Sequence, residues 1–275
     1  MFGELVGACL ADCWQRAKAP TDAIFVELGP GRGTLAADAL RVLRQAGFAG
    51  EVHLVETSPV LRDRQRERLP DARWHGALDT LPIDRPLLVV ANEFFDALPI
   101  RQWVGETERQ VTLAGDRLAF TPDGPIREDS PVRSAVAAQL GALIANSGGM
   151  ALVIDYGHAR SADGDTLQAL REHRFADPLA SPGEQDLTAH VDFAALGNAL
   201  AALNVALTPV VPQGEWLERL GIAARADALA SAQPERAAEI AATRHRLTDP
   251  DQMGTLFKVV AAHAAVWPPP AGFAT

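Results

Sequence analysis

Short apolar runs alternate along this chain with stretches whose apolar residues recur every three or four positions. Phe2, Leu5, Val6, Cys9, Leu10, Cys13 and Trp14 share one helical face, which predicts a helix over 2–18. Ile24–Leu28 reads as a strand, Leu35–Gln45 as a helix, Val52–Val55 as a strand and Val60–Leu69 as a helix. Ala72–His75 is a weak strand signal. Leu87–Ala91 and Met150–Ile154 are continuous apolar runs, the pattern of strands buried on both faces. Strand–helix alternation of this kind predicts a parallel sheet covered by helices on both sides.

Two parts break the rhythm. Residues 101–121 alternate apolar and polar positions around turn residues Gly105 and Gly115-Asp116, which predicts an antiparallel β excursion. Residues 155–254 read as helix and loop with one strand candidate, Val205–Val211. The last apolar run, Leu256–Ala262, is placed to close the sheet, and Trp267–Pro270 reads as a tail. The expected organisation is therefore a core over 1–160 with its excursion at about 100–122. Mainly helical insertions over 161–254 follow, forming a substrate or interaction lobe, and a closing strand lies within 255–265.

Composition narrows the classes. A chain of 275 residues with 48% hydrophobic content can bury a large core. Its formal charge of -10 disfavours nucleic acid and anionic membranes and favours basic partners. No apolar run approaches the roughly 20 residues of a membrane span. Glu4 and Asp12 near the start argue against a signal peptide. Cys9 and Cys13 fall on one helical face, as packing residues would, and two thiols make no disulfide framework. A cytoplasmic protein is the expectation.

The chemistry begins at FVELGPGRGTL. A strand ends on Glu27, glycines follow at 29, 31 and 33, and a helix starts. Glycines let backbone approach a ligand, and a helix start offers unpaired N–H groups. The dinucleotide fingerprint would need its third glycine where Thr34 stands, and no phosphate-loop Gly-Lys-Ser/Thr exists. The acid followed by Gly29, Gly31 and Gly33 resembles instead the first motif of Rossmann-like S-adenosylmethionine methyltransferases. That cofactor carries a cationic sulfur and an ammonium, so Glu27 is suited to its positive end. Glu56, at the tip of the second strand, is placed to accept from ribose hydroxyls, with helix capping as its other reading. Leu78 and Asp79, after the third strand, stand where adenine would lie.

NEFFDALP (Asn92–Pro99), DYGH (Asp155–His158), DLTAHVDF (Asp186–Phe193) and a late QGEWLERLG join ELGPGRGTL and VETSP in the same order as in the MidA family, which the chain resembles over nearly its whole length. That family's members usually carry a further segment before the MFGEL stretch with which this chain opens. The resemblance implies an α/β fold: a Rossmann-like class I methyltransferase sheet, mostly parallel, with an antiparallel closing strand, a β excursion and helical insertions. It implies S-adenosylmethionine as cofactor. It also implies arginine methylation of a protein, a subunit of respiratory complex I or a similar complex.

Methyl transfer to a guanidinium needs carboxylates that orient it and take its proton. Glu93 and Asp96 are the candidates, with Asn92 facing the methionine part of the cofactor. Phe94 and Phe95 could wall off the sulfonium or simply pack. Asp155, Tyr156 and His158 after the fifth strand, and His190, are candidates for substrate contact. Thr188 or Asp192 could cap the following helix, expected to run through Leu203. No H-x-x-x-H or C-x-x-C pair points to a metal, and no G-x-S-x-G to a serine hydrolase. A homodimer is entertained. The competing reading is a non-catalytic assembly chaperone that keeps the cofactor fold.

Overall fold

The computed structural model describes residues 1–172, 174–201 and 204–273. The core elements run α1 (Phe2–Arg16), β1 (Ile24–Leu28), α2 (Thr34–Gln45), β2 (Val52–Val55), α3 (Pro59–Arg68), β3 (Arg73–His75) and β4 (Leu87–Asn92). Strands β5 (Arg101–Val104), β6 (Thr107–Ala114), β7 (Arg117–Thr121) and β8 (Ile126–Asp129) follow, then α4 (Pro131–Ser147) and β9 (Gly149–His158). Beyond them lie β10 (Gln168–Arg171), β11 (Arg174–Ala176), β12 (Asp186–Thr188), β13 (Val191–Asp192) and α5 (Phe193–Leu200). The chain closes with β14 (Val205–Leu207), β15 (Val211–Pro212), α6 (Gln213–Arg219), α7 (Ile222–Ala232), α8 (Ala237–Thr248) and β16 (Phe257–Ala264).

The central sheet has the order β14-β16-β9-β4-β1-β2-β3. Strands β1, β2, β3, β4 and β9 are parallel, and β16 runs antiparallel beside β9. Every residue of β1 and β2, Glu27 and His53 included, and all of β4 except Asn92, is buried, as strands covered on both faces are. β1 lies between β2 and β4, so the chain's winding reverses there. The loops after β1 and β4 therefore diverge at one sheet edge and leave a crevice, the usual ligand position in such sheets.

Helix α1 lies on α2 at a distance only glycine permits: a Cβ on Gly7 would come 2.5 Å from the Ala39 carbonyl oxygen. The two thiols are buried in this layer, and burial pushes Cys13 up to about 12. The Cys9 and Cys13 Sγ atoms donate to the carbonyls of Ala271 (3.4 Å) and Pro268 (3.3 Å). The expected tail is thus folded back onto α1, with Trp267 buried.

Three expectations change. The β excursion reaches Asp129 and forms a four-stranded antiparallel sheet, β7-β6-β5-β8. Residues 161–254 hold a second small sheet, β11-β10-β12, where helices were expected. Its strands are three or four residues long, too short to print an alternating pattern. The single strand expected at 205–211 is two, because Thr208 Oγ1 accepts the Ala261 amide (2.9 Å) and Pro209 has no N–H to continue the ladder. Helix α5 is capped by Asp192, whose Oδ1 accepts from Ala195 N at 2.9 Å, and ends at Leu200. Leu203, its expected end, lies outside the described residues.

Candidate active site

Gly29, Gly31 and Gly33 all have positive φ (61°, 53° and 73°), which explains three glycines within five residues. A Cβ at Gly29 would touch the Phe94 ring at 3.0 Å, so the loops after β1 and β4 pack directly. Gly31 faces open space. Beneath the loop, Glu27 is 3% exposed, and its Oε2 has no protein hydrogen-bond partner. Burial raises its carboxyl to about 8, and the Ala36 amide offsets only part of that.

Glu56 is also buried, with Oε1 accepting from Ser58 N (2.8 Å) and Oε2 from Gln65 Nε2 (3.3 Å). The cap of α3 is Ser58, whose hydroxyl accepts from Leu61 N; Glu56 holds the amide of that cap, and its remaining lone pairs are free for a ligand. Gln65 is a residue the motif reading missed. Fully buried, it also donates to Gly31 O (2.8 Å) and accepts from Trp74 Nε1 (2.7 Å). It ties the glycine loop to Glu56. Leu78 is buried and Asp79 exposed on a short turn after β3, at the same edge.

On the β4 side, Asn92 donates to Glu93 Oε1 (3.3 Å). Glu93 sits at φ 49°, a strained value for a side chain with a Cβ. Its amide donates to Ile154 O (2.9 Å), which fixes the loop at that point. Glu93 is exposed, yet desolvation by the surrounding protein still raises its carboxyl. Phe95 is fully buried. Asp96 is 6% exposed, burial raises its carboxyl, and Oδ1 has no protein partner. Tyr156 approaches both Asp96 and Thr188, and burial raises its phenol.

Asp155 was expected at the substrate. It is 0% exposed, and its carboxylate accepts the amides of Phe95 (3.0 Å), Asp96 (3.2 Å) and Tyr156 (3.0 Å). Its work is to hold the NEFFDALP loop. Burial and the neighbouring Asp96 raise its carboxyl.

Opposite stands Arg133 of α4, which no motif indicated. Its guanidinium donates to four carbonyls: Phe95 (2.6 Å), Asp96 (2.9 Å), Ala189 (2.9 Å) and His190 (2.7 Å). His190 meets the Tyr156 ring edge-on at 5.5 Å and lies 6.5 Å from the His158 ring. Both histidines line a cavity of about 430 Å³ that none of Glu27, the glycine loop, Glu93 or Asp96 borders. The structure thus joins Asp96, Asp155 and Tyr156, with His190 against the Tyr156 ring and His158 beyond it in this second cavity.

Residues 5–125 and 111–210 match the family model described as "Putative S-adenosyl-L-methionine-dependent methyltransferase". The chain belongs to this family. The Drosophila melanogaster protein named mitochondrial protein arginine methyltransferase NDUFAF7 homolog is 36% identical over 98% of this chain and 75% of its own length. Its Danio rerio counterpart is 31% identical over 94% of this chain and 73% of its own length. A superfamily member from Burkholderia thailandensis, solved bound to S-adenosyl-homocysteine, superposes with a TM-score of 0.84 at 26% identity, covering 98% of this chain and 78% of that one. Both named relatives are mitochondrial proteins, and this overturns the cytoplasmic expectation. Charge and cysteine count do not separate those compartments.

The family's cofactor is S-adenosylmethionine, and the crevice suits it. A fully buried carboxylate oxygen without a partner, under a loop of positive-φ glycines, fits a cationic ligand and not a pyrophosphate. Glu27 also gives a pH prediction. Its folded-state value of about 8 lies above the ordinary carboxylate value, so stability is greatest at low pH. It is lost progressively as pH rises from the ordinary value through about 8. The melting temperature of ligand-free protein should fall between pH 5 and pH 8 more steeply in the wild type than in Glu27→Gln. Parallel slopes in a differential scanning series would refute the assignment.

Proposed function

We propose that this methyltransferase acts on an arginine side chain of a protein, received by Glu93 and Asp96. The observation that carries this reading is Asp96: a buried carboxylate with one unpartnered oxygen, on the loop that packs against the glycine turn. A guanidinium brings several fixed N–H donors and a positive charge to such an oxygen. The names of the curated relatives as protein arginine methyltransferases support the same acceptor.

S-adenosylmethionine supplies a methyl group on a positively charged sulfur. In this reading Glu27 would hold its positive end, the backbone at Gly29, Gly31 and Gly33 would cradle it, and Glu56 would accept from the ribose. Leu78 and Asp79 would hold the adenine, and Asn92 the amino-acid part. Glu93 and Asp96 orient the guanidinium for in-line attack. Their raised carboxyls are better proton acceptors at neutral pH than ordinary ones, which suits removal of the guanidinium proton. Tyr156 borders Asp96, and His158 and His190 meet only a substrate that reaches their cavity. By the family resemblance, the acceptor protein is a subunit of the respiratory NADH dehydrogenase or a similar complex.

The test is label transfer. Purified chain is incubated with methyl-labelled S-adenosylmethionine and an extract of a strain lacking the gene. Amino-acid analysis should recover the label as methylarginine. Label in lysine or a carboxyl ester, or no transfer by protein that binds S-adenosylhomocysteine, would rule the reading out.

A further inference from the structure

We propose that the groove between the β5–β7 strands and β12 docks the polypeptide segment carrying the acceptor arginine, with Thr188 as a positioning residue on its floor. This rests on the arginine reading above. The groove is a cavity of about 410 Å³ that Asp96, Thr188, Val111, Phe120 and Leu187 help to line. Beneath its floor lie two buried oxygens with no well-formed protein hydrogen bond, Asp96 Oδ1 and Thr188 Oγ1, on side chains that the Tyr156 hydroxyl approaches. Both belong to residues only 6% exposed. Leaving two such atoms unpaired is costly, and native sites rarely tolerate it unless a ligand completes them. A carboxylate only accepts, and the hydroxyl can accept as well. A ligand with several donors in fixed geometry can complete both, which a guanidinium does and an ammonium does less well.

The surrounding charge selects in the same direction. Asp186, at the start of β12, and Asp96 feel each other's charge, and both act on Glu93. The groove's own cations are already committed. Arg101 is paired with Glu108 (2.6 Å) and Arg109 with Asp165 (2.8 Å). A basic segment is attracted and an acidic one repelled. The lining includes exposed apolar residues: Val111 is 52% and Leu187 48% exposed. Apolar residues flanking the arginine would cover them.

The probe is a capped Ala-Leu-Arg-Leu-Ala peptide, titrated calorimetrically into the full chain loaded with S-adenosylhomocysteine. The wild type should bind it at least about tenfold more tightly than the Lys-centred or Gly-flanked versions. Thr188→Val should weaken binding about tenfold and raise KM more than it lowers kcat, and Thr188→Ser should restore both. Val111→Asp, an exposed change remote from the folded core, should remove the preference for leucine flanks. Affinity for S-adenosylhomocysteine should hold in every variant. Equal peptide binding by the wild type, Thr188→Val and Val111→Asp would overturn the groove. So would no peptide binding while label still passes to arginine in the extract. Label passing to a residue other than arginine would overturn the groove and the arginine reading together.

Discussion

Asp96→Asn is expected to lower kcat/KM for the protein acceptor by about 10²–10³-fold, a typical loss when one preorganised charged contact is removed. S-adenosylhomocysteine should bind within about twofold of the wild type, since the glycine loop, Glu27 and Glu56 are untouched. Stability should move the other way. The Asp96 carboxyl is raised in the folded protein, by burial first. A carboxyl raised on folding costs nothing below its unfolded value. As pH climbs past that value and through the folded one, the native state must carry a charge it disfavours. Asn keeps the shape and removes that charge, so the variant should melt at a higher temperature than the wild type at pH 8 and at nearly the same temperature at pH 4. A variant that is slower yet more stable is the signature of strain kept for function. Retained turnover on the protein acceptor would remove Asp96 from the chemistry. Reduced stability at pH 8 would mean that Tyr156 and Arg133 outweigh the burial of the carboxylate.

The parts legible in the sequence are those where one residue's neighbours along the chain determine its role. Continuous apolar runs can be read as buried strands, and residues at their carboxyl ends must reach the crevice. That places Glu27, Glu56, Asn92 and Asp155 at one edge without any structure. What they do there depends on partners remote in sequence. Asp155 has the motif position of a substrate acid, yet three amides close over it, two of them some sixty residues earlier. Gln65 looks like one more polar position on an Arg-rich helix, and only packing buries it against Gly31 and Glu56. Arg133 follows the cap-and-proline start Ser130-Pro131, a readable signal for α4. Its four acceptors are backbone carbonyls, which every residue has, so no pattern of side chains could reveal them.

Arg133→Ala should be the most damaging single change outside the glycine loop. The guanidinium joins the NEFFDALP loop to the 189–190 segment through four of their carbonyls, beside a single direct backbone bond from the Ala189 amide to the Asp96 carbonyl (3.2 Å). Its removal takes the side-chain donor from the Ala189 and His190 carbonyls and one of two donors from the Phe95 and Asp96 carbonyls, and leaves the Asp96 and Asp155 carboxyls without the positive charge that faces them. Breaking a buried charged network of this kind costs about 3–5 kcal/mol. In a domain this large that corresponds to a fall in melting temperature of roughly 10 °C. Arg133→Lys should recover little, because an ammonium has three donors at one point and cannot span two segments. Loss of order at Asp96 should cost turnover well below the melting temperature, while S-adenosylhomocysteine binding persists on the other side of the crevice. A cycle with Asp96→Asn separates the two contributions. If electrostatic compensation matters, the double variant will be less destabilised than the sum of the singles, by about 0.5–3 kcal/mol. If the carbonyl bonds alone matter, the two effects will add. Arg133→Ala protein that melts within 2 °C of the wild type would show that Asp155 and the backbone bonds at Glu93 and Ala189 hold the loop without the guanidinium.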